Sequence, residues 1–222
     1  IEESIFGLTA LTSPFMNHTN GTRGTYQTNQ ASQSCGWFAL HPEYKYEKKK
    51  FFQLYCEMPL VKTVANDIIY PTGQNLLVAM MCYSGFNQED STIINKATID
   101  NGYFHGYQYT MEKTFITDFN TEFIKLINDS DNIQKSHADY SLLDERGIIR
   151  IGSIVQRNTV LISKVVLVNR KEDKYIDKSI FYKHDEPMEV DDVDVTYYNP
   201  QASIIESVKI RLKAYRTLFK GD

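Results

Sequence analysis

Two neighbouring carboxylates, Glu89 and Asp90, sit in the run Ser84-Gly85-Phe86-Asn87-Gln88-Glu89-Asp90, and such a pair suits a magnesium ion. Mg²⁺ takes one or two protein carboxylates and completes its shell with water and substrate phosphate oxygens. An ordinary surface pair of acids has the same sequence, and so does a capping acid held by a helix dipole. Arg23, in Asn20-Gly21-Thr22-Arg23-Gly24-Thr25-Tyr26-Gln27, is the second candidate. Its guanidinium, on a hydroxyl-rich segment, can grip a phosphate through two parallel hydrogen bonds, although a lone arginine more often makes a surface ion pair. The five histidines stand apart from any nucleophile motif, and no phosphate-binding glycine loop or dinucleotide fingerprint occurs. Cys35, Cys56 and Cys82 lack metal-ligand spacing and are expected to be small, buried and reduced. Asp185 to Asp194 carries six carboxylates but lacks the glycine and closing glutamate of a calcium loop. A solvated, self-repelling loop is expected there.

The elements that must position these residues follow from periodicity and turn signals. Ile1 to Gln33, rich in Thr, Asn, Gly and Ser, reads as loop with short strands or turns. The aromatics Trp37, Phe38, Phe51, Phe52 and Tyr55 suggest strands, interrupted by a solvated Glu47-Lys48-Lys49-Lys50 loop. Leu76 to Tyr83 follows the turn signal Pro71-Thr72-Gly73-Gln74-Asn75 and has the length of a strand buried on both faces. Ser91 is the expected cap of a short helix ending near Asn101-Gly102, which places Glu89 and Asp90 at a strand-to-helix junction. The second half reads as antiparallel sheet over Tyr103–Phe119, Ile148–Val155, Val160–Val168, Ile176–Tyr182 and Ser203–Tyr215. In the last of these, Val208, Ile210 and Leu212 alternate with Lys209, Arg211 and Lys213. Asn120 to Ile133 and Tyr140 to Glu145 read as helical or irregular.

With 222 residues and 42% apolar content the chain can bury a real core. A net charge of −4 gives no global attraction to nucleic acid, so any such contact has to be local. The longest apolar run, Leu76 to Tyr83, is far short of a membrane span, and no signal peptide opens the chain, so a soluble intracellular protein is expected. The Asn-x-Ser/Thr triplets at Asn17, Asn20 and Asn128 are attributed to chance. The start at Ile1 and the end on Lys220-Gly221-Asp222 are those expected of a piece of a longer chain.

Local order narrows the reading further. Gly73-Gln74-Asn75, Val78-Ala79, the run Tyr83 to Ser91, Asn95 and Gly102-Tyr103-Phe104 resemble a segment of the second-largest, β-type subunits of multisubunit DNA-directed RNA polymerases. Upstream, Pro14-Phe15, His18, Arg23, Thr25-Tyr26-Gln27 and Gln33, then Pro59-Leu60-Val61 and Thr63, resemble further blocks of that family. Downstream, Leu143-Asp144-Glu145-Arg146-Gly147, Gly152, Val155, Lys164, Asp177-Lys178-Ser179, Val208 to Arg211 and Gly221-Asp222 continue the resemblance in order. Two departures stand out: Ser32 replaces a basic residue and Phe86 a tyrosine.

The resemblance implies a mixed, mainly β (α+β) fold, part of a double-psi β-barrel with an inserted flap- or wall-like β domain. Residues 1–106 would be the hybrid-binding and active-centre region, 107–205 the insertion, and 206–222 the return strand to the barrel. It implies catalytic roles for Glu89, Asp90 and Arg23, with the acids near the second Mg²⁺, Arg23 on nucleotide phosphates and Gln33 near the RNA 3′ end. The first magnesium would be held by the largest subunit. The implied partners are that largest (β′-type) subunit, the remainder of the β-type subunit, template DNA, product RNA, nucleoside triphosphates and a promoter-specificity factor at the flap, with no membrane. Cytoplasm, nucleoid or a viral transcription site would be the location. A viral or phage lineage is suggested by the short flap and divergent flanks. The family's two lysines would follow Asp222. Two other readings remain open: a non-catalytic nucleic-acid-binding or assembly module with a polymerase-derived fold, and a free-standing Mg²⁺-dependent phosphohydrolase active without partners.

Overall fold

The computed structural model describes residues 7–34, 46, 48–71, 73–127, 133, 137–169, 174–199, 201 and 204–222. Cys35, Trp37, Phe38, Glu47, Thr72 and Asn128, to which expectations attach, lie outside them. The described structure is mainly β, with three short or medium helices. The chain divides into two units: one of Ile1–Lys45, Phe51–Tyr107 and Tyr215–Asp222, the other of Tyr46–Lys50 and Gln108–Ala214.

The second unit is built on a five-stranded sheet in the order β1-β2-β10-β9-β4. These strands are β1 (Lys49–Gln53), β2 (Gly106–Phe115), β4 (Ile154–Val155), β9 (Met188–Asn199) and β10 (Ile204–Arg216). Both β1 and β2, like β10, continue in sequence past the limits of this unit. Smaller sheets join β3 (Glu122–Ile124), β6 (Lys164–Asn169) and β7 (Lys174–Asp177), and β5 (Val160–Ile162) with β8 (Ile180–Phe181). The alternation in β10 does what a period of two requires: Val208, Ile210 and Leu212 are fully buried. They pack in one cluster with Ile148, Val155, Leu161, Ile162, Tyr182 and Val190.

The opposite face of β10 corrects the expectation of an acidic loop. Most of Asp185 to Asp194 lies in β9, which pairs antiparallel with β10, placing Asp194 opposite Lys209 and Asp192 opposite Arg211. A register break between Arg211 and Leu212 leaves Asp191 as the extra residue of a bulge. Bulges re-aim side chains, and the freed Asp191 carboxylate accepts from Arg211 Nε at 2.6 Å and from Lys213 Nζ at 3.2 Å. Lys209 Nζ reaches Asp194 at 2.9 Å. Asp191, Asp192 and Asp194 thus meet the cations Lys209, Arg211 and Lys213 of the neighbouring strand. Arg211 is 6% exposed, its guanidinium 5.2 Å from the ring centroid of Tyr46 and 5.7 Å from that of Tyr109. The Tyr46 hydroxyl donates to Asp192 at 2.5 Å. Burial, with that acceptor, pushes the Tyr46 hydroxyl well above the usual tyrosine range, so it stays a donor.

The Leu143-Asp144-Glu145-Arg146-Gly147 block forms a turn closed on one carboxylate. Asp144 Oδ1 accepts from the backbone N–H of Arg146 at 3.0 Å and of Ile148 at 2.8 Å, and Oδ2 accepts from Arg146 Nε. Gly147 has φ of 80°, and a Cβ there would lie 2.5 Å from the carbonyl carbon of Lys125. Glycine is required on both counts.

In the first unit the polar N-terminal segment is not loop. It forms α1 (Leu8–Leu11), a 3-10 turn over Met16–His18 and α2 (Gly21–Gln33). The α2 sequence conceals a helix because it carries few apolar residues. Its Thr25 and Thr28 hydroxyls bond back to the carbonyls of Gly21 and Gly24, and the bare Gly24 lets Met16 lie against the helix. Lys49 and Lys50, expected in a solvated loop, open β1.

Leu76 to Tyr83 is also corrected. It is neither a strand nor buried: Leu77 is 105% and Met80 97% exposed. A strand buried on both faces needs ladder partners, and among the described residues none pairs with this run. Cys82 is therefore exposed, contrary to expectation, while Cys56 is half-buried and its thiol pushed up by burial. Among the described residues no helix is long and apolar enough to cross a membrane.

Candidate functional site

The acidic pair lies in an irregular loop tied by its own side chains. Asn87 Oδ1 accepts from the backbone N–H of Tyr83 at 3.0 Å, and Asn87 Nδ2 donates to the Met81 carbonyl at 2.5 Å. The Ser91 hydroxyl bonds the carbonyls of Phe86 and Gln88. Ser91 is therefore spent on the loop and caps nothing. The following helix, α3 (Lys96–Asp100), takes Asn95 as its cap, with Asn95 Oδ1 accepting from Ala97 N at 2.9 Å. It stops at Asn101-Gly102 as expected, Gly102 having φ of 100°.

This shift of the helix start bears on the acids. Asp90 stands five positions before the cap, so stabilising the helix dipole does not account for it. Both Glu89 and Asp90 are exposed and adopt left-handed backbone, with φ of 52° and 67°. Ser84 and Gly85 do so too. An L-residue pays roughly 1–2 kcal/mol for that conformation, a cost met most often at functional loops. Two carboxylates on an open loop fit a magnesium that draws its other ligands from water and phosphate. Among the described residues there is no group of three or more His, Cys, Asp or Glu that could hold a metal ion.

Arg23 is in the first turn of α2, exposed, its guanidinium 5.8 Å from the Tyr26 ring centroid. Gln33 is the last residue of the same helix, about 15 Å away at the usual helical rise, and is also exposed. Among the described residues no hydrogen bond or ion pair joins Arg23 to Glu89 or Asp90. The two acids are neighbours in the chain, and Arg23 and Gln33 stand at opposite ends of one helix.

Sequence reasoning placed Gln74 and Asn75 in a turn signal and a family block without assigning them contacts; in the structure they clamp this unit. Gln74 Oε1 accepts from Phe104 N and Gln53 Nε2, and Gln74 Nε2 donates to the Tyr55 carbonyl. Asn75 donates from its backbone and side-chain nitrogens to Glu57 Oε2 and from its side chain to the Met58 carbonyl, while its Oδ1 accepts from Leu60 N. Their signal was adjacency: two amides in a turn between extended segments.

The family model for RNA polymerase Rpb2, domain 6, matches residues 9–222. The chain belongs to that family. Among similar proteins are DNA-directed RNA polymerase II subunit 2 of Arabidopsis thaliana, 30% identical over 98% of this chain and 19% of that protein, and subunit RPB2 of Encephalitozoon cuniculi, 33% identical over 93% and 19%. A probable RPB2 homolog of Invertebrate iridescent virus 3 is 33% identical over 84% of this chain and 17% of that protein. The chain thus corresponds to about a fifth of these Rpb2-type subunits and is a partial, divergent member of the β-type class. Arg23, Gln33, Glu89 and Asp90 all fall inside the segment matched to Rpb2 domain 6.

Proposed function

We propose that this chain is the part of a β-type subunit that enters the active centre of DNA-directed RNA polymerase, where ribonucleotides are added to an RNA 3′ end on a DNA template. The supporting observation is the family match over residues 9–222, together with the exposed left-handed placement of Glu89 and Asp90. The site is shared: the largest subunit supplies the tightly held magnesium, and this chain faces the mobile ion that arrives with the nucleotide. A magnesium there would neutralise triphosphate charge in phosphoryl transfer. Glu89 and Asp90 supply the negative charge that orients it, directly or through water. Arg23 pairs with nucleotide phosphate oxygens, and Gln33 lies toward the RNA end.

The partners in this reading are the largest subunit, the rest of the β-type subunit, DNA, RNA and nucleoside triphosphates, in an intracellular transcription complex. Residues 107–205 serve as the flap- or wall-like insertion, where a promoter-specificity factor docks, and the flanking segments, with residues 206–222 as the return strand, belong to a double-psi β-barrel. Nucleotide titration of the assembled polymerase carrying Arg23→Ala tests the assignment. Loss of a charge-assisted phosphate bond of about 1.5–3 kcal/mol raises the KM for nucleotides roughly 10- to 100-fold, while template binding is unchanged. An unchanged KM with impaired assembly makes Arg23 structural.

A further inference from the structure

The five-stranded sheet of the second unit has an open edge. β9 runs for 12 residues, but its outer neighbour β4 has only 2 and pairs with Met188 and Glu189 alone. Past Val190, among the described residues, no strand or isolated bridge lies against the outer side of β9.

The register shows which backbone groups face that side. Val190 bonds outward, its carbonyl accepting from Gly152 N at 2.8 Å and its N–H donating to the Ser153 carbonyl at 2.9 Å. Val190 stands opposite Leu212, and, past the bulge at Asp191, Val193 stands opposite Ile210 and Val195 opposite Val208. Those β10 residues are two apart, so Val193 and Val195 turn their N–H and C=O outward as Val190 does. The Val193 N–H is held by Asp192 Oδ1 at 2.9 Å. The outer N–H and C=O of Val195 have no partner among the described residues. Unpaired edge groups of this kind are a template for a further strand.

The side chains dictate what such a strand must carry. In an antiparallel ladder the residue opposite Val195 makes both bonds and points to the core face, where Val193 and Val195 pack against the buried cluster. An apolar residue suits that position and the one opposite Val193. The intervening residues point to the other face, beside Asp192 and Asp194. Their side chains remain 41% and 40% exposed although cations of β10 flank them on the inner side. Opposite charges across a ladder are favourable and like charges are not, so basic residues belong there. β10 already meets the inner side of β9 with this alternation, in Val208, Lys209, Ile210 and Arg211. The same rule disfavours a second copy of the chain, since two β9 edges would bring both sets of aspartates to one place.

We propose that the outer edge of β9 at Val193 and Val195 docks an extended segment of another polypeptide, added as an antiparallel strand that alternates apolar and basic residues. The site lies in the second unit and does not rest on the polymerase reading.

The test titrates the purified native complex of this chain with the peptide acetyl-Thr-Val-Lys-Val-Lys-Val-Thr-amide. Hydrogen exchange at the Val195 amide is followed by mass spectrometry with electron-transfer fragmentation. The expected result is saturable slowing of that exchange. N-methylation of the peptide's valines removes the N–H groups that face β9 and weakens binding about tenfold or more, whereas N-methylation of its lysines blocks only the far edge and changes binding by less than about threefold. Glutamate in place of the lysines weakens it about tenfold or more. Equal weakening by the two methylation patterns overturns the proposal, and so does unchanged exchange at Val195. A Val195 amide already protected before peptide is added, or native mass spectrometry showing two copies of the chain joined through β9, overturns it as well.

Discussion

The acidic pair gains its meaning from backbone geometry that no residue type announces. Four residues between Ser84 and Asp90 adopt left-handed backbone, and only one of them is glycine. The adjacent acids were legible in the sequence because their types and neighbours are distinctive. Their exposure was not, because it depends on Ser91 bonding inward and on the helix starting at Asn95 instead. Asn87 holds the loop through two hydrogen bonds, each worth about 1 kcal/mol net. Asn87→Ala, which removes no charge, is therefore expected to slow single-nucleotide addition several-fold, up to roughly 30-fold if both bonds matter in full. Rapid-quench kinetics on the assembled enzyme reads this, and an unaltered rate would show that the loop needs no such brace.

At the level of elements, β9 and β10 show how a charge pattern misleads when its partner is distant in sequence. Lys209 and Asp194 are fifteen positions apart, yet lie opposite each other once the hairpin forms. A window covering only Asp185 to Asp194 sees repulsion. The apolar side of β10 was legible because its alternation is local, whereas the burial of Arg211 was not, since Tyr46, Tyr109 and the bulge at Asp191 come from three other places. Arg211→Ala leaves the Asp191 carboxylate, itself largely buried, without its main partner. Breaking a buried pair of this kind costs about 3–5 kcal/mol, read as faster hydrogen exchange across β9 and β10. Exchange as slow as in the unaltered protein would show that water or Lys213 suffices.

Glu122 contributes to the acid sensitivity of the second unit. The Thr117 backbone N–H, helped by Lys164, holds its carboxyl below the usual carboxylate range against the opposing effect of burial. A lowered folded pKa means that this stabilisation is fully present above the ordinary glutamate value and is lost as pH falls through the lowered one. Exchange at β3 and β6 should therefore accelerate on acidification in the unaltered protein and less so in Glu122→Gln. Identical pH profiles would remove Glu122 from the account.

On the scale of the whole molecule, the chain matches about a fifth of its Rpb2-type relatives and carries apolar side chains that nothing among the described residues covers. Leu77 and Met80 are the extreme cases. Under the proposed function these face other parts of the polymerase, where burying a leucine contributes roughly 1.5–3 kcal/mol. Leu77→Asp is then expected to reduce incorporation of the chain into purified polymerase, scored by mass spectrometry of the subunits, and full incorporation would contradict that burial. The same absence of partners explains why Leu76 to Tyr83 reads as a buried strand but is not one here: sequence records what a segment can bury, and a ladder needs neighbours. Family membership was legible throughout because ordered blocks survive where local structure does not.

The most direct test of the account is single-turnover nucleotide addition by assembled polymerase carrying Asp90→Asn, which keeps the side-chain shape and removes the charge, followed across a magnesium titration. The account predicts a rate reduced by roughly tenfold or more at fixed magnesium, partly restored as magnesium rises, with template binding unchanged. A rate and a magnesium dependence equal to those of the unaltered enzyme would contradict the claim that the Glu89–Asp90 loop serves the active centre.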